Sequence, residues 1–248
     1  LDREAPGRSA RGGFTVTGLL RSNMDADAYR ARFERVQALI RAGDCYQVNL
    51  ARRFSAPARG AAWQAYQRLR SISPAPFSAY LNTPGATVMS ASPERFLHLR
   101  EGRVETNPIK GTIGRDADPD VDRSLASALA ESPKDRAENV MIVDLLRNDL
   151  GRCCEPGSVR VPKLFAVESF AGVHHLVSTV TGRLAPGQDA LSLLRACFPG
   201  GSITGAPKRR TMQIIDALEE EPRGVYCGSI GYIGFDGAMD CSIAIRTM

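Results

Sequence analysis

The stretch Val225-Tyr226-Cys227-Gly228-Ser229-Ile230-Gly231-Tyr232-Ile233-Gly234-Phe235, then Asp236-Gly237, then Ala238-Met239-Asp240-Cys241-Ser242-Ile243-Ala244-Ile245-Arg246-Thr247 decides the fold class. Apolar residues alternate with small or polar ones on both sides of Asp236-Gly237, a dipeptide that reaches positive φ at little steric cost. The pattern predicts an antiparallel hairpin. Working back from it, residues 77–81, 87–91 and 95–99 read as strands, and 159–180 is again β-type. Tyr46, Val48 and Leu50 alternate with Gln47 and Asn49, which predicts a short strand with one polar face.

Between these lie helices. Tyr29, Phe33, Val36, Leu39 and Ile40 recur at helical spacing and stop at Gly43, with Asn23 or Asp25 as the cap. Further helices are predicted over 63–72, 120–130, 134–150 and 191–198, and one with Pro207 just inside its start runs to Leu218. Residues 1–22, rich in Gly and Arg, read as a loop. Strands and helices come in groups, so the expectation is an α+β domain over 1–248 with a mainly antiparallel sheet.

The chain has 248 residues, 43% hydrophobic and 24% charged, ordinary for a globular protein and enough to bury a core without a disulfide or metal staple. No apolar run approaches the ~20 residues of a membrane span, and the start has no apolar signal core. Net charge is +5, yet the arginines are interleaved with acids and no nucleic-acid motif is present. Anionic small molecules are the better expectation for a basic chain of this kind. Cys45, Cys153, Cys154, Cys197, Cys227 and Cys241 form no metal-ligand spacing. They predict reduced thiols and a cytoplasmic protein. The chain lacks an initiator Met and stops inside a strand pattern, which suggests a piece of something longer.

Three stretches carry chemistry. In Pro199-Gly200-Gly201-Ser202-Ile203-Thr204-Gly205-Ala206-Pro207-Lys208, glycines and hydroxyls precede a helix start. That pattern suits a carboxylate-binding turn or a simple helix cap; Ala206-Pro207 excludes a phosphate loop. Glu138 lies on an apolar helix stripe with Ile142 and Leu145, so it needs a cation or an arginine partner. Lys110, one of only four lysines, sits between Pro108 and Gly111. It is either a solvated loop lysine or a desolvated amine able to attack an electrophile. Glu94 is a general acid or the partner of Arg95, and the pair His174-His175 reads first as structural.

Taken in order, Ala91-Ser92-Pro93-Glu94-Arg95-Phe96, Pro108-Ile109-Lys110-Gly111-Thr112, the helix from Glu138 to Asp149, His175-Leu176-Val177-Ser178, the 200–208 loop and Tyr226-Cys227-Gly228-Ser229-Ile230-Gly231-Tyr232 closely resemble the chorismate-utilising enzymes. The resemblance runs from about Gly13 to Met248. Lys110 resembles the aminodeoxychorismate-forming branch; the anthranilate-forming branch is similar here but carries alanine at that position. The alternatives within the family are anthranilate or isochorismate formation, and outside it an inactive fragment that only binds a partner.

The resemblance implies an antiparallel β-sandwich flanked by helices, with family chains longer at both ends. It implies chorismate as substrate, Mg2+ held by Glu138, and ammonia supplied by a separate glutamine amidotransferase subunit. It implies Lys110 as nucleophile, Glu94 as acid and His175 in support. Gly201, Ser202, Thr204, Gly205, Tyr226 and Arg246 would bind substrate. A second metal-binding glutamate would lie beyond Met248, so weak magnesium binding and little turnover are expected of this length.

Overall fold

The computed structural model describes residues 13–248. Of the loop expected over 1–22, positions 1–12 lie outside the described residues. The rest is not all loop: it carries β1 (Thr15–Val16) and β2 (Arg21–Ser22). After α1 (Ala26–Arg41) come β3 (Gln47–Val48), β4 (Phe54–Ser55) and β5 (Ala58–Arg59), then α2 (Ala62–Ile72). Pairing of β1 with β5 and of β2 with β4 explains why this early segment is extended.

The strands β6 (Phe77–Thr83), β7 (Ala86–Ser92), β8 (Arg95–Arg100), β9 (Arg103–Thr106) and β10 (Ile109–Gly114) precede the helices α3 (Pro119–Glu131) and α4 (Pro133–Gly151). Then follow β11 (Arg160–Ser169), β12 (Val173–Arg183) and α5 (Ala190–Cys197). A 3-10 turn at Gly201–Ile203 leads to β13 (Gly205–Ala206), α6 (Lys208–Leu218), β14 (Ser229–Ile233) and β15 (Met239–Ile243).

Seven strands form one sheet in the order β10-β12-β9-β8-β15-β14, with β11 also paired to β12, and every pairing is antiparallel. The fold is α+β, as expected. Strand β12 is the spine: it pairs β10 along its first part, β9 along its last and β11 along most of its length. On α4, Asn139, Ile142, Val143, Leu146, Asp149 and Leu150 are buried at alternating spacings of three and four, one continuous helix face. That face meets Phe96, Leu97, Leu99, Val104, Val180, Leu193 and Ile243 in the main core. Ser132 accepts from Asp135 N at 3.3 Å and Pro133 opens the helix, a start favoured because proline lacks a donor that would be orphaned there. Asp25 caps α1 by accepting from Ala28 N at 2.8 Å.

The hairpin expected at the C-terminal end is present but shorter than the alternating pattern. Its five-residue connection bonds Gly234 N to Ala238 O, with Gly237 at φ 81°. Residues 225–228 leave the strand as a turn, with Gly228 N donating to Val225 O and Cys227 at φ 65°. Two further corrections concern the 200s. Pro207 is the cap of α6 rather than its first residue, because its ψ of 138° is extended. The strand expected over 46–50 reduces to β3, whose only pairing partner among the described residues is the two-residue β13. Residues 103–106 and 109–114, not anticipated as strands, are recruited by β12 and β8.

Gly231 faces Cys241 across the hairpin, and a Cβ there would lie 2.3 Å from the Asp240 carbonyl oxygen. Gly231→Ala should therefore push β14 off the sheet edge and lower stability by about 1–3 kcal/mol in urea unfolding. An unchanged unfolding midpoint would show that the edge strand yields freely.

Candidate functional site

Glu94 stands just before β8, and its side chain turns to the interior while Arg95 faces the other way. Arg95 pairs with Asp240 at 3.0 Å and Glu105 at 3.8 Å, so it is not the partner of Glu94. Glu94 is only 6% exposed. Burial pushes its carboxyl up from the ordinary 4.5 to about 7, opposed by the neighbouring Ser202 side chain and by the Lys110 charge. Lys110 is half-buried on β10, not on a solvated loop. A bulge between Ile109 and Thr112, with Gly111 at φ 102°, lifts it out of register. Its Nζ donates to the Ser202 carbonyl oxygen at 3.0 Å. Ser202 thus holds Lys110 through its carbonyl and stands beside Glu94.

His175 lies opposite Thr112 on the neighbouring strand, and its Nδ1 is 2.8 Å from Thr112 Oγ1. Burial, and then the nearby Arg246 charge, pushes its pKa below the ordinary value, which favours the neutral ring. Arg246 is exposed and adopts φ 50°, while its carbonyl accepts from Ala91 N at 3.1 Å. His174, on the opposite face of β12, is fixed by Asp122 at 3.0 Å and Ser169 at 2.8 Å, a structural role.

The 200s loop is held from several sides. Gly205 has φ 135°, and a Cβ on it would lie 2.1 Å from the Gln47 carbonyl oxygen, so only glycine fits. Gly205 and Ala206 pair with Val48 and Gln47, and Thr204 Oγ1 donates to Gly200 O at 2.9 Å. These groups are consumed inside the fold, and Pro207 has no N–H. No side chain caps the 3-10 turn or the start of α6, and the loop residue that faces the lysine is Ser202. Thr204 and Tyr226 meet elsewhere, lining a cavity of about 500 Å³ together with Asp216, Glu219 and Arg223. Burial, and then Cys227, raises the Tyr226 pKa.

Glu138 is half-buried on α4, and among the described residues it forms no ion pair. It lies two turns, about 10 Å, before Leu145 on the same face. Leu145 packs against Gly201, where a Cβ would be 2.6 Å from Leu145 Cδ2. Its neighbour Asn139 is fully buried, donates to Leu176 O at 3.3 Å and accepts from Ser178 Oγ at 2.5 Å, which locks this turn of α4 beside His175. No group of three metal-ligating side chains occurs among the described residues. One free carboxylate fits magnesium only as an ion shared with substrate oxygens and water.

Two contacts escaped the sequence reading. Asn49 Nδ2 donates to the Ser202 carbonyl at 2.8 Å, beside Lys110. The polar face of the 46–50 alternation was the available signal. The second is Lys208, which reaches Asp149 and the Cys197 carbonyl; a lysine after a glycine loop, in a chain with four, marks it.

A profile of the family described as chorismate binding enzyme matches residues 5–248. The chain is 58% identical over 235 residues to aminodeoxychorismate synthase component 1 of Klebsiella aerogenes, covering 95% of this chain and 52% of that one. It is 54% identical over 235 residues to the protein of the same name from Escherichia coli K12, with the same coverage. The crystal structure of anthranilate synthase component I from Streptococcus pneumoniae superposes with a TM-score of 0.86 at 39% identity, over 94% of this chain and 52% of that one. The chain thus spans about half the length of the curated relatives it matches. No helix among the described residues is long and apolar enough to cross a membrane.

The raised pKa of Glu94 has a sign. Between about 4.5 and 7 the unfolded chain has lost this proton and the folded one keeps it, so stability falls as pH rises through that window. Glu94→Gln removes the titration. Urea unfolding at pH 5 and pH 8 should show the variant gaining on the parent as pH rises; a pH-independent difference would mean Glu94 is solvated.

Proposed function

The chain belongs to the chorismate binding enzymes, and from that premise we propose that it is the catalytic part of an aminodeoxychorismate synthase component I, adding ammonia to chorismate to form 4-amino-4-deoxychorismate. The observation that carries this is that Lys110, held on the Ser202 carbonyl, and the buried carboxyl of Glu94 come together beside that one loop residue. An amine and a carboxyl that stays protonated near neutral pH are the pair needed to form one bond and release a hydroxyl. The 54% and 58% identities to curated relatives of that name support the same choice.

In this reading Lys110 gives up a proton to solvent and its free amine attacks ring carbon 2, both ring double bonds shift, and the bond from carbon 4 to its hydroxyl breaks. Glu94 gives its proton to that oxygen, which leaves as water. Ammonia then adds at carbon 4 as the bond to Lys110 breaks, which restores the amine. His175, neutral and tied to Thr112, orients beside the ring without taking up its charge. Arg246 offers a guanidinium to a substrate carboxylate. Tyr226 is the weaker assignment, since its cavity is lined by Asp216 and Glu219, unfavourable to a dianion.

Glu138 would hold the magnesium ion, which when bound supplies positive charge to the ring carboxylate. The ammonia source would be a separate glutamine amidotransferase subunit. Six free, buried cysteines support a cytoplasmic setting.

Mass spectrometry of the product made from chorismate, magnesium and ammonia tests the reading, with 4-amino-4-deoxychorismate expected. Anthranilate or isochorismate as product would refute it. Glu94→Gln should lower the rate about 10²–10⁴-fold. Lys110→Ala should abolish amination, and parent-rate product from it would exclude the covalent route.

A further inference from the structure

Lys208 is the first residue of α6, and its ammonium reaches back across the whole 198–207 segment to the carbonyl of Cys197, the last residue of α5, at 2.7 Å. The same ammonium meets Asp149 Oδ2 at 2.5 Å, near the end of α4. One side chain therefore closes the loop on itself and ties it to the helix that carries Glu138. Both partners are largely removed from water, with 13% and 4% of their side chains exposed. A buried ion pair confers little net stability over well-packed apolar residues, so its presence under this loop calls for a role in geometry.

We propose that Lys208 and Asp149 are positioning residues that set the place of Ser202 against Lys110 and Glu94. Neither touches the reacting groups; both act through the loop. Leu145 fills the space under Gly201 and β3 holds the far end of the loop, so the Lys208 clasp is the tie between its entry at Cys197 and α4. With the clasp released, the Ser202 carbonyl moves off the Lys110 amine and the residue away from Glu94. The catalytic meaning of this displacement rests on the reaction proposed above; the displacement itself does not.

The test uses the whole chain without substrate. Trinitrobenzenesulfonate reacts with neutral lysine amines, and peptide mass spectrometry reads each lysine separately. In Lys208→Met, labelling of Lys110 should rise several-fold relative to the exposed Lys134, while the ratio of Lys163 to Lys134 stays constant. Asp149→Asn should move the Lys110 ratio in the same direction, and the double variant no further than the larger single effect. Lys208→Arg, which keeps the charge and the donors, should restore part of the protection. An unchanged Lys110 ratio in folded Lys208→Met or Asp149→Asn overturns the proposal. Failure of all three single variants to fold would overturn it too, by making the pair a requirement of folding alone.

With chorismate and ammonia, the same variants should lose about 10²-fold in kcat. A product other than 4-amino-4-deoxychorismate would refute the proposed reaction and leave the labelling ratios to judge the clasp.

Discussion

The carbonyl oxygen of Ser202 accepts from Lys110 Nζ and from Asn49 Nδ2, and the rest of the candidate site is arranged around that shared acceptor. A carbonyl has two lone pairs, and here both are engaged, one by a charge-assisted bond. That saturates the atom and fixes its direction. The same residue stands beside the buried carboxyl of Glu94. One loop residue therefore governs where an amine and a protonated carboxyl stand relative to each other, although they come from different strands.

Strand alternation separates this interior chemistry from the charges outside. Arg95 and Glu94 are sequence neighbours, yet one joins Asp240 and Glu105 on the outer side and the other is enclosed beside Ser202. The same division splits the two histidines: His174 is tied to Asp122 and Ser169, His175 to Thr112. Adjacent residues with opposite fates need no special device, only a pleated backbone with two different faces.

Much of the fold was legible in the sequence. Helices α1 to α6 announce themselves by apolar spacing, an Asp or Ser cap, or a proline at the start. The strands β6, β7 and β8 follow from alternation. What escaped were pieces whose extended form comes from partners rather than from their own residues. Strands β9 and β10 are short, interrupted by Asn107-Pro108, and exist because β12 is long enough to pair both. The two-residue strand β13 hides in a glycine-rich run that reads as a turn, since nothing in that run announces β3 as its partner.

The site was legible in residue type and not in arrangement. Lys110, Glu94 and Ser202 could be singled out from scarce lysine, an enclosed glutamate motif and a hydroxyl loop, and the structure brings these three together. Spacing along the chain could not show that Thr204 and the backbone of Gly205 and Ala206 are spent on the fold, or that Thr204 and Tyr226 share an acidic cavity. It also gave no reason to join Lys208 to Cys197, because that contact spans a loop whose path only the tertiary structure defines.

Strand β12 pairs with three neighbours at once, and its successive side chains point to opposite faces. Adding or deleting a single residue anywhere within it would exchange His174 with His175 and misalign three ladders together. Over this strand a substitution leaves the pairing in place, whereas a change of length has to be absorbed by a bulge of the kind its ladders with β10 and β11 already carry.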